Sequence, residues 1–307
     1  MFSYVSFLSL VAQIALSSQS CTTGDQIEET IVWFSTQHGT REVVPRPQDR
    51  KVVSSKWVYR VKYDADGNVS RYKARLVARG YTQVLGVDYS ETFAPVTRLE
   101  TLRLLFGLAV QKDWEVRQID VKTAYLCGDL DEEIFMEPPE GANVPEGHVF
   151  RLLKAIYGLK QAGRQWYQEL RETMSKFGLT QVKSDPHTFV AHKVVKGTKY
   201  SLILPVYVDD LFPIGDKTLT DDFEKWIGNY FETTPPVDVH YFLGIRVTRT
   251  RTPNNSYFTL DQTRFIESVL SRVTEPLKTY PTPLSSNELV PNPEPRETAK
   301  QETVRTY

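Results

Sequence analysis

The chain has 307 residues, 40% of them hydrophobic and 12% aromatic, enough for one large domain or two small ones around a substantial core. A formal net charge of −1 excludes a uniformly basic nucleic-acid binder. The two cysteines, Cys21 and Cys127, lie too far apart for a disulfide framework or a cysteine zinc set, and they fit a reducing compartment.

At the N-terminus, "VSFLSLVAQIAL" (Val5 to Leu16) has the look of a signal-peptide hydrophobic region followed by small residues, but no Lys or Arg precedes it. The run is also short for a transmembrane helix. Residues 1–41 therefore read as an atypical segment, signal-like or disordered, and residues 42–273 as the ordered domain. Secretion is the weaker reading; a cytoplasmic or nuclear location is expected, with no stable membrane partner. From Lys51 to Arg79 eight Lys/Arg stand against two Asp, a local net of +6. Such a patch serves phosphates or is a solvated strand face, and charge alone leaves both open. Within it Trp57, Tyr59, Val61 and Tyr63 alternate, "DADGN" supplies a turn, and Lys73, Arg75, Val77 and Arg79 share a face of the return strand, which predicts a β-hairpin.

Further along, Thr97 and Glu100 stand at capping-box spacing before Leu99, Leu102, Leu105, Phe106 and Ala109, a helical stripe. "WEVRQIDVKTAYL" predicts a strand running into a turn and a helix. Trp166, Leu170, Met174 and Phe177 form a second helical stripe that stops at Gly178. His187 and His192 lack cysteine support and read as ordinary loop or core histidines. Tyr200 to Val208 predicts a strand, with Leu211 to Ile214 as its hairpin partner. "TDDFEKWIGNYF" predicts a helix capped by Thr220, its Asp221 and Asp222 in the first turn, where the helix dipole favours anions. From residue 274 the tail is proline-rich and polar and reads as disordered.

One stretch resists a structural explanation. "LPVYVDDLFP" sets Asp209 and Asp210 inside an apolar run, although an unpaired buried carboxylate is costly. Adjacent carboxylates are relieved most simply by divalent cations, and magnesium binds one or two carboxylates together with substrate phosphates. A phosphoryl-transfer site with two ions needs a further acid, and Asp120, at the end of "VRQID", is the candidate. Asp120 as a mere cap of the following helix is the competing reading, and the residues leave both open.

"YVDD" with "QIDVKTAYL" upstream resembles reverse transcriptases. The wider blocks "KWVYRVKYDADGNVSRYKARLVARGYTQ", "DYSETFAPVTRLETLRLL", "DVKTAYLCGDLDEEIFMEPPEG", "LLKAIYGLKQAGRQWY" and "YFLGIRV" resemble, in order, the reverse transcriptase of copia-type LTR retrotransposons, over residues 42–272. The resemblance implies an α+β right-hand polymerase, with β-rich fingers and an antiparallel palm sheet backed by helices. It implies an RNA-directed DNA polymerase using two Mg2+ ions, with Mn2+ as a substitute, and an RNA/DNA template-primer and dNTPs as partners; oligomeric state stays open. It assigns Asp120, Asp209 and Asp210 as catalytic and metal-binding, with the Val121 carbonyl completing the metal shell. It makes Tyr125 the aromatic under the sugar, beside the alternative of a core tyrosine, and Lys73 and Arg75 the holders of the triphosphate. Gln161 becomes a contact of nucleotide and template, beside the alternative of a polar helix start. Trp57 and Tyr59 are read as stacking on template bases or packing the hairpin core. The alternative function is an inactive, truncated relic that keeps the palm fold and binds nucleic acid weakly. Four departures from the family pattern bear on local geometry: Gly163 stands where proline is usual, Pro205 and Pro213 flank the acidic pair although proline belongs at sheet edges, and Pro235–Pro236 interrupts the run before "YFLGI".

Overall fold

The computed structural model describes residues 39–63, 69–253 and 255–273. The expectations for the signal-like stretch, the "DADGN" turn and the proline-rich tail lie outside these residues. Strands β1 (Arg41–Pro45), β2 (Val52–Val53), β3 (Ser55–Tyr63) and β4 (Val69–Ala78) precede helix α1 (Leu99–Lys112). Strands β5 (Glu115–Asp120), β6 (Asp129–Met136) and β7 (His148–Lys154) lead to helix α2 (Ala162–Phe177). Then come β8 (Thr180–Val182), β9 (Asp185–Val195), β10 (Thr198–Tyr207), β11 (Asp210–Leu211) and β12 (Ile214–Gly215), followed by helix α3 (Lys217–Ile227). The described chain closes with β13 (Val237–Asp238), β14 (Tyr241–Phe242), β15 (Ile245–Thr252), β16 (Asn255–Asp261) and helix α4 (Thr263–Leu270). None of the described helices is long and apolar enough to cross a membrane.

The fold is α+β. Its largest sheet runs β11-β5-β12-β10-β9-β8, with β13 on the free edge of β5. Alternation along β10 decides what each face holds. Leu202, Leu204 and Val206 are fully buried and join the α2 stripe Trp166, Leu170, Met174 and the α3 stripe Leu219, Phe223, Ile227 in one core. The opposite face carries Phe212, Ile214 and Val116 against Leu102, Leu105 and Phe106 of α1 and Val247 of β15. A second sheet, β1-β7-β6-β2, has its own core around Ile134, Met136, Phe150 and Leu152. The predicted β3–β4 hairpin is present, and Trp57 packs on that second core while its indole donates to the Glu140 carbonyl.

Several local expectations are corrected. Regular structure reaches back past residue 42: Arg41 opens β1, and the Thr40 carbonyl accepts the Leu153 N–H at 2.9 Å. Helix α1 has no capping box. Thr97 instead donates to the His187 carbonyl and accepts the Val206 N–H, while Asp185 from β9 accepts the Arg98 N–H and the Thr101 hydroxyl at the helix start. A long-range acid thus replaces the local cap. Helix α3 starts three residues before the expected cap, so Thr220 is interior and buried, and Asp221 and Asp222 lie outside the first turn. Asp216, just before it, accepts the Ser201 N–H and the Trp114 indole N–H, which ties the helix start to the sheet.

Proline also behaves differently from expectation. Pro205 sits in β10, inside the sheet rather than at its edge. The register of β10 against β11 and β12 is nevertheless the same on both sides of the prolines. A strand residue points its N and its C=O to the same side; the Pro205 carbonyl accepts the Phe212 N–H at 3.1 Å, so its missing donor deletes only the reciprocal bond. The Pro213 carbonyl accepts the Arg117 N–H at 3.1 Å. The prolines thin the ladder without shifting it. Pro235–Pro236 falls where the outer strand separates from β5, between the Val121–Thr233 bridge and β13, a true edge position.

Candidate active site

The two aspartates sit where β10 turns into β11. Tyr207 pairs with Asp210, which leaves Val208 and Asp209 as a two-residue loop. Val208 has φ +56°, a left-handed backbone that disfavours a β-branched residue. It is held there by its surroundings: the Trp166 indole of α2 donates to the Val208 carbonyl at 2.6 Å, and the Val121 N–H donates to the Asp209 carbonyl at 2.8 Å. Strain of this kind persists only where neighbouring structure over-determines it.

The strand register then brings in the third acid. Asp210 of β11 lies directly opposite Asp120 of β5. Asp120 uses its own backbone on the other edge of β5, its N–H donating to the Thr234 hydroxyl and its C=O accepting the Thr234 N–H. The Asp120–Asp210 pair is therefore non-hydrogen-bonded, the arrangement that brings facing residues closest, with Cα atoms about 4.5 Å apart. Their side chains share a sheet face, as does that of Gln118, two residues earlier, whose amide donates to Asp210 Oδ1 at 2.9 Å. Burial raises the Asp210 carboxyl above its ordinary value; Gln118 opposes the rise, and the charges of Asp209 and Asp120 add to it. Asp210 forms no ion pair among the described residues.

This donor set suits a hard divalent cation. The charges of Asp209 and Asp120 act on an Asp210 that has no cationic partner among the described residues, and an ion between them would relieve the repulsion. The acids do not form a ready cage: among the described residues no group of three His, Cys, Asp or Glu is arranged to hold a metal. Magnesium does not require one, since it commonly uses one or two carboxylates and takes its other ligands from substrate phosphates and water.

Other expected residues fall around this corner. Tyr125 lies in the short 3-10 turn Ala124–Cys127 after β5. It packs against both the core under the large sheet and the core around β6 and β7, so its ring sits at their junction. Burial raises its phenol pKa, and the Asp209 charge adds to the rise. The guanidinium of Arg75, on β4, lies 5.4 Å from the centroid of the Tyr157 ring. Lys73 stands two residues earlier on β4, paired in register with Arg60. Gln161 is fully buried. Its amide donates to the Asp88 carbonyl at 2.9 Å and to Glu132 at 3.2 Å, and its carbonyl accepts from Gln83 at 3.0 Å. Its polar atoms are thus engaged within the protein at the start of α2. A Cβ on Gly163 would lie 3.3 Å from the Ala94 Cβ, close enough that Ala94 would have to shift by a few tenths of an ångström. Sequence reasoning missed Gln118, Trp166 and Tyr157; each acts on the corner through a contact distant in the chain.

Residues 38–283 match the family described as "Reverse transcriptase (RNA-dependent DNA polymerase)". The chain belongs to this reverse transcriptase family. Similarity to plant retroelement proteins agrees with the copia-type blocks of the sequence. The chain is 40% identical over 233 residues to the retrovirus-related Pol polyprotein from transposon RE1 of Arabidopsis thaliana, covering 75% of this chain and 15% of that protein. It is 37% identical over 255 residues to the corresponding polyprotein from transposon TNT 1-94 of Nicotiana tabacum, covering 82% of this chain and 19% of that protein. The chain thus spans less than a fifth of the length of these relatives. Among solved structures, a foamy viral protease–reverse transcriptase in complex with double-stranded DNA aligns with a TM-score of 0.40 at 14% identity, over 84% of this chain and 38% of that one.

Proposed function

We propose that this chain is an RNA-directed DNA polymerase domain that joins dNTPs to a primer 3′-hydroxyl on an RNA template, with the large sheet and α1–α3 as the palm and the β3–β4 hairpin as the fingers. The observation that carries the reading is the register that sets Asp120 opposite Asp210 beside the strained turn holding Asp209. Asp120, Asp209, Asp210 and the Val121 carbonyl would hold two Mg2+ ions, or Mn2+ in their place. Bound there, such ions lower the pKa of the attacking hydroxyl and neutralise charge on the leaving pyrophosphate.

The remaining roles fall to the protein's own side chains. Arg75, with its planar fork of donors, and Lys73 would hold the triphosphate. Tyr125, wedged between two cores, would bar a ribose 2′-hydroxyl, the group that separates RNA from DNA precursors. Gln161 would position the segment 83–88 against the start of α2 through its buried hydrogen bonds rather than touch the nucleotide. Such a domain would act in the cytoplasm or nucleus within a retroelement particle.

Primer extension on poly(rA)/oligo(dT) with magnesium tests the reading. Extension that disappears in Asp209→Asn supports it. No extension from a protein that melts cooperatively refutes it and leaves the inactive relic with weak nucleic-acid binding. In an active enzyme Tyr125→Ala should raise ribonucleotide incorporation, and unchanged sugar selectivity would remove that role from Tyr125.

A further inference from the structure

Tyr157 belongs to none of the roles above, yet it lies between two residues that do. It sits in the loop joining β7 to α2, flanked by Ile156 and Leu159, which fill the second core. Tyr157 itself is half-buried. Its ring meets Tyr125 edge to face, with centroids 5.0 Å apart and planes at 70°. On its other side the Arg75 guanidinium lies over the ring, 5.4 Å from the centroid. Burial raises the phenol above its ordinary range; the Arg75 charge opposes the rise, and the Asp209 charge adds to it.

The backbone explains why these groups meet. The hairpin crosses the loop at two glycines. A Cβ on Gly80 would lie 2.0 Å from the Gly158 carbonyl oxygen, and one on Gly158 would lie 2.1 Å from the Ala78 carbonyl oxygen. Gly158 also has φ +91°. Only glycine permits this approach. It is closed by Ala78 N–H to the Tyr157 carbonyl at 2.8 Å and Gly80 N–H to the Gly158 carbonyl at 3.1 Å. The Tyr157 backbone is thus pinned to β4, three residues from Arg75, while its side chain reaches across to Tyr125.

We infer that Tyr157 is a positioning residue that couples the triphosphate-holding Arg75 to the sugar-facing Tyr125, so that nucleotide affinity and sugar discrimination depend on one ring. The inference rests on the polymerase reading for the identity of the ligand. An edge-to-face aromatic pair stabilises by about 0.5–1.5 kcal/mol, equivalent to about a twofold to tenfold change in an equilibrium. Tyr157→Leu should therefore raise the ratio of ribonucleotide to deoxyribonucleotide incorporation several-fold. Tyr157→Leu also removes the ring face under Arg75, so KM for dTTP should rise; Tyr157→Phe keeps both ring contacts, so sugar selectivity stays as in the parent. Combining Tyr157→Leu with Tyr125→Ala should give a selectivity no worse than Tyr125→Ala alone, because both changes act through the same ring.

Parent-like selectivity in a Tyr157→Leu protein that melts as the parent does overturns the inference. So does selectivity lost equally in Tyr157→Phe, which keeps the Tyr125 contact and serves as the decisive variant if Tyr157→Leu fails to fold. Should the parent not extend primers at all, the polymerase reading fails separately, and equilibrium dialysis of dTTP against UTP in magnesium decides. A preference for dTTP that Tyr157→Leu erases upholds the inference, and equal binding of both by the parent overturns it.

Discussion

The chain contains two aspartate doublets, and the structure handles them in opposite ways. Asp221 and Asp222 lie on helix α3, where Lys217 contacts both carboxylate oxygens of Asp221 at 2.9 Å, one helical turn away, and Lys193 approaches Asp222 at 3.5 Å. Asp209 and Asp210 lie at a turn among apolar neighbours, with Gln118 and the third acid, Asp120, facing Asp210. The first doublet is neutralised by cations the chain provides. The second has no ion pair among the described residues, in a turn strained at Val208. Adjacent like charges with no ion pair among the described residues, at a strained backbone, suit a site for an outside cation.

The largest expected effect breaks this comparison most directly. Asp120→Asn, Asp209→Asn and Asp210→Asn should each reduce primer extension about 10³-fold, the scale of removing one preorganised electrostatic group from an active site. Asp221→Asn and Asp222→Asn should leave it within twofold. Comparable losses at both doublets, in steady-state extension rates, would erase the distinction.

Trp166 comes next, because it buttresses the turn from α2. Trp166→Phe removes the donor to the Val208 carbonyl and should lower stability by about 1–3 kcal/mol in urea denaturation. It should also slow extension more than that loss implies, since the strained turn relaxes. Unchanged extension would mean that the turn is held without it.

A smaller effect comes from pH. The folded-state pKa of Asp210 is raised above 3.8, so the folded chain binds the proton more tightly than the unfolded one. Asp210 therefore opposes folding once it ionises. That cost is absent below 3.8 and grows as pH rises through the folded-state pKa. Asp210→Asn should melt higher than the parent at neutral pH without divalent ions, with the gap closing in acid. Magnesium should raise the melting temperature of the parent and not of the variant, by mass action on the folded state. Parent and variant curves that run parallel across pH would contradict the burial of this carboxyl. The smallest effect belongs to the other doublet: Lys217→Ala should give no resolvable change in melting, because an exposed pair one helical turn apart contributes little.

Much of this was legible along the chain. The β3–β4 hairpin, the α2 stripe ending at Gly178 in a left-handed cap, and the strand running into the acidic turn all follow from patterns two to four residues long, which periodicity reports. The apolar frame around Asp209 and Asp210 marked them as anomalous before any neighbour was known. Where local reading failed, a distant partner had taken over. Asp185 displaced the capping box of α1, Asp216 set the start of α3, and an interior register absorbed Pro205.

By itself the sequence determined the family, the β3–β4 hairpin, the stripes of α1 and α2 and the strand before the acidic pair, and the residue types able to bind a cation or a phosphate. Tertiary structure alone decided that Asp120 faces Asp210 across a non-hydrogen-bonded pair, that two glycines bring Arg75 to Tyr157, and that Gln161 turns inward. The physical reason is range. Side-chain periodicity and turn chemistry act over a few residues, whereas cross-strand register and backbone close approach join segments some eighty or ninety residues apart, and no local pattern encodes them.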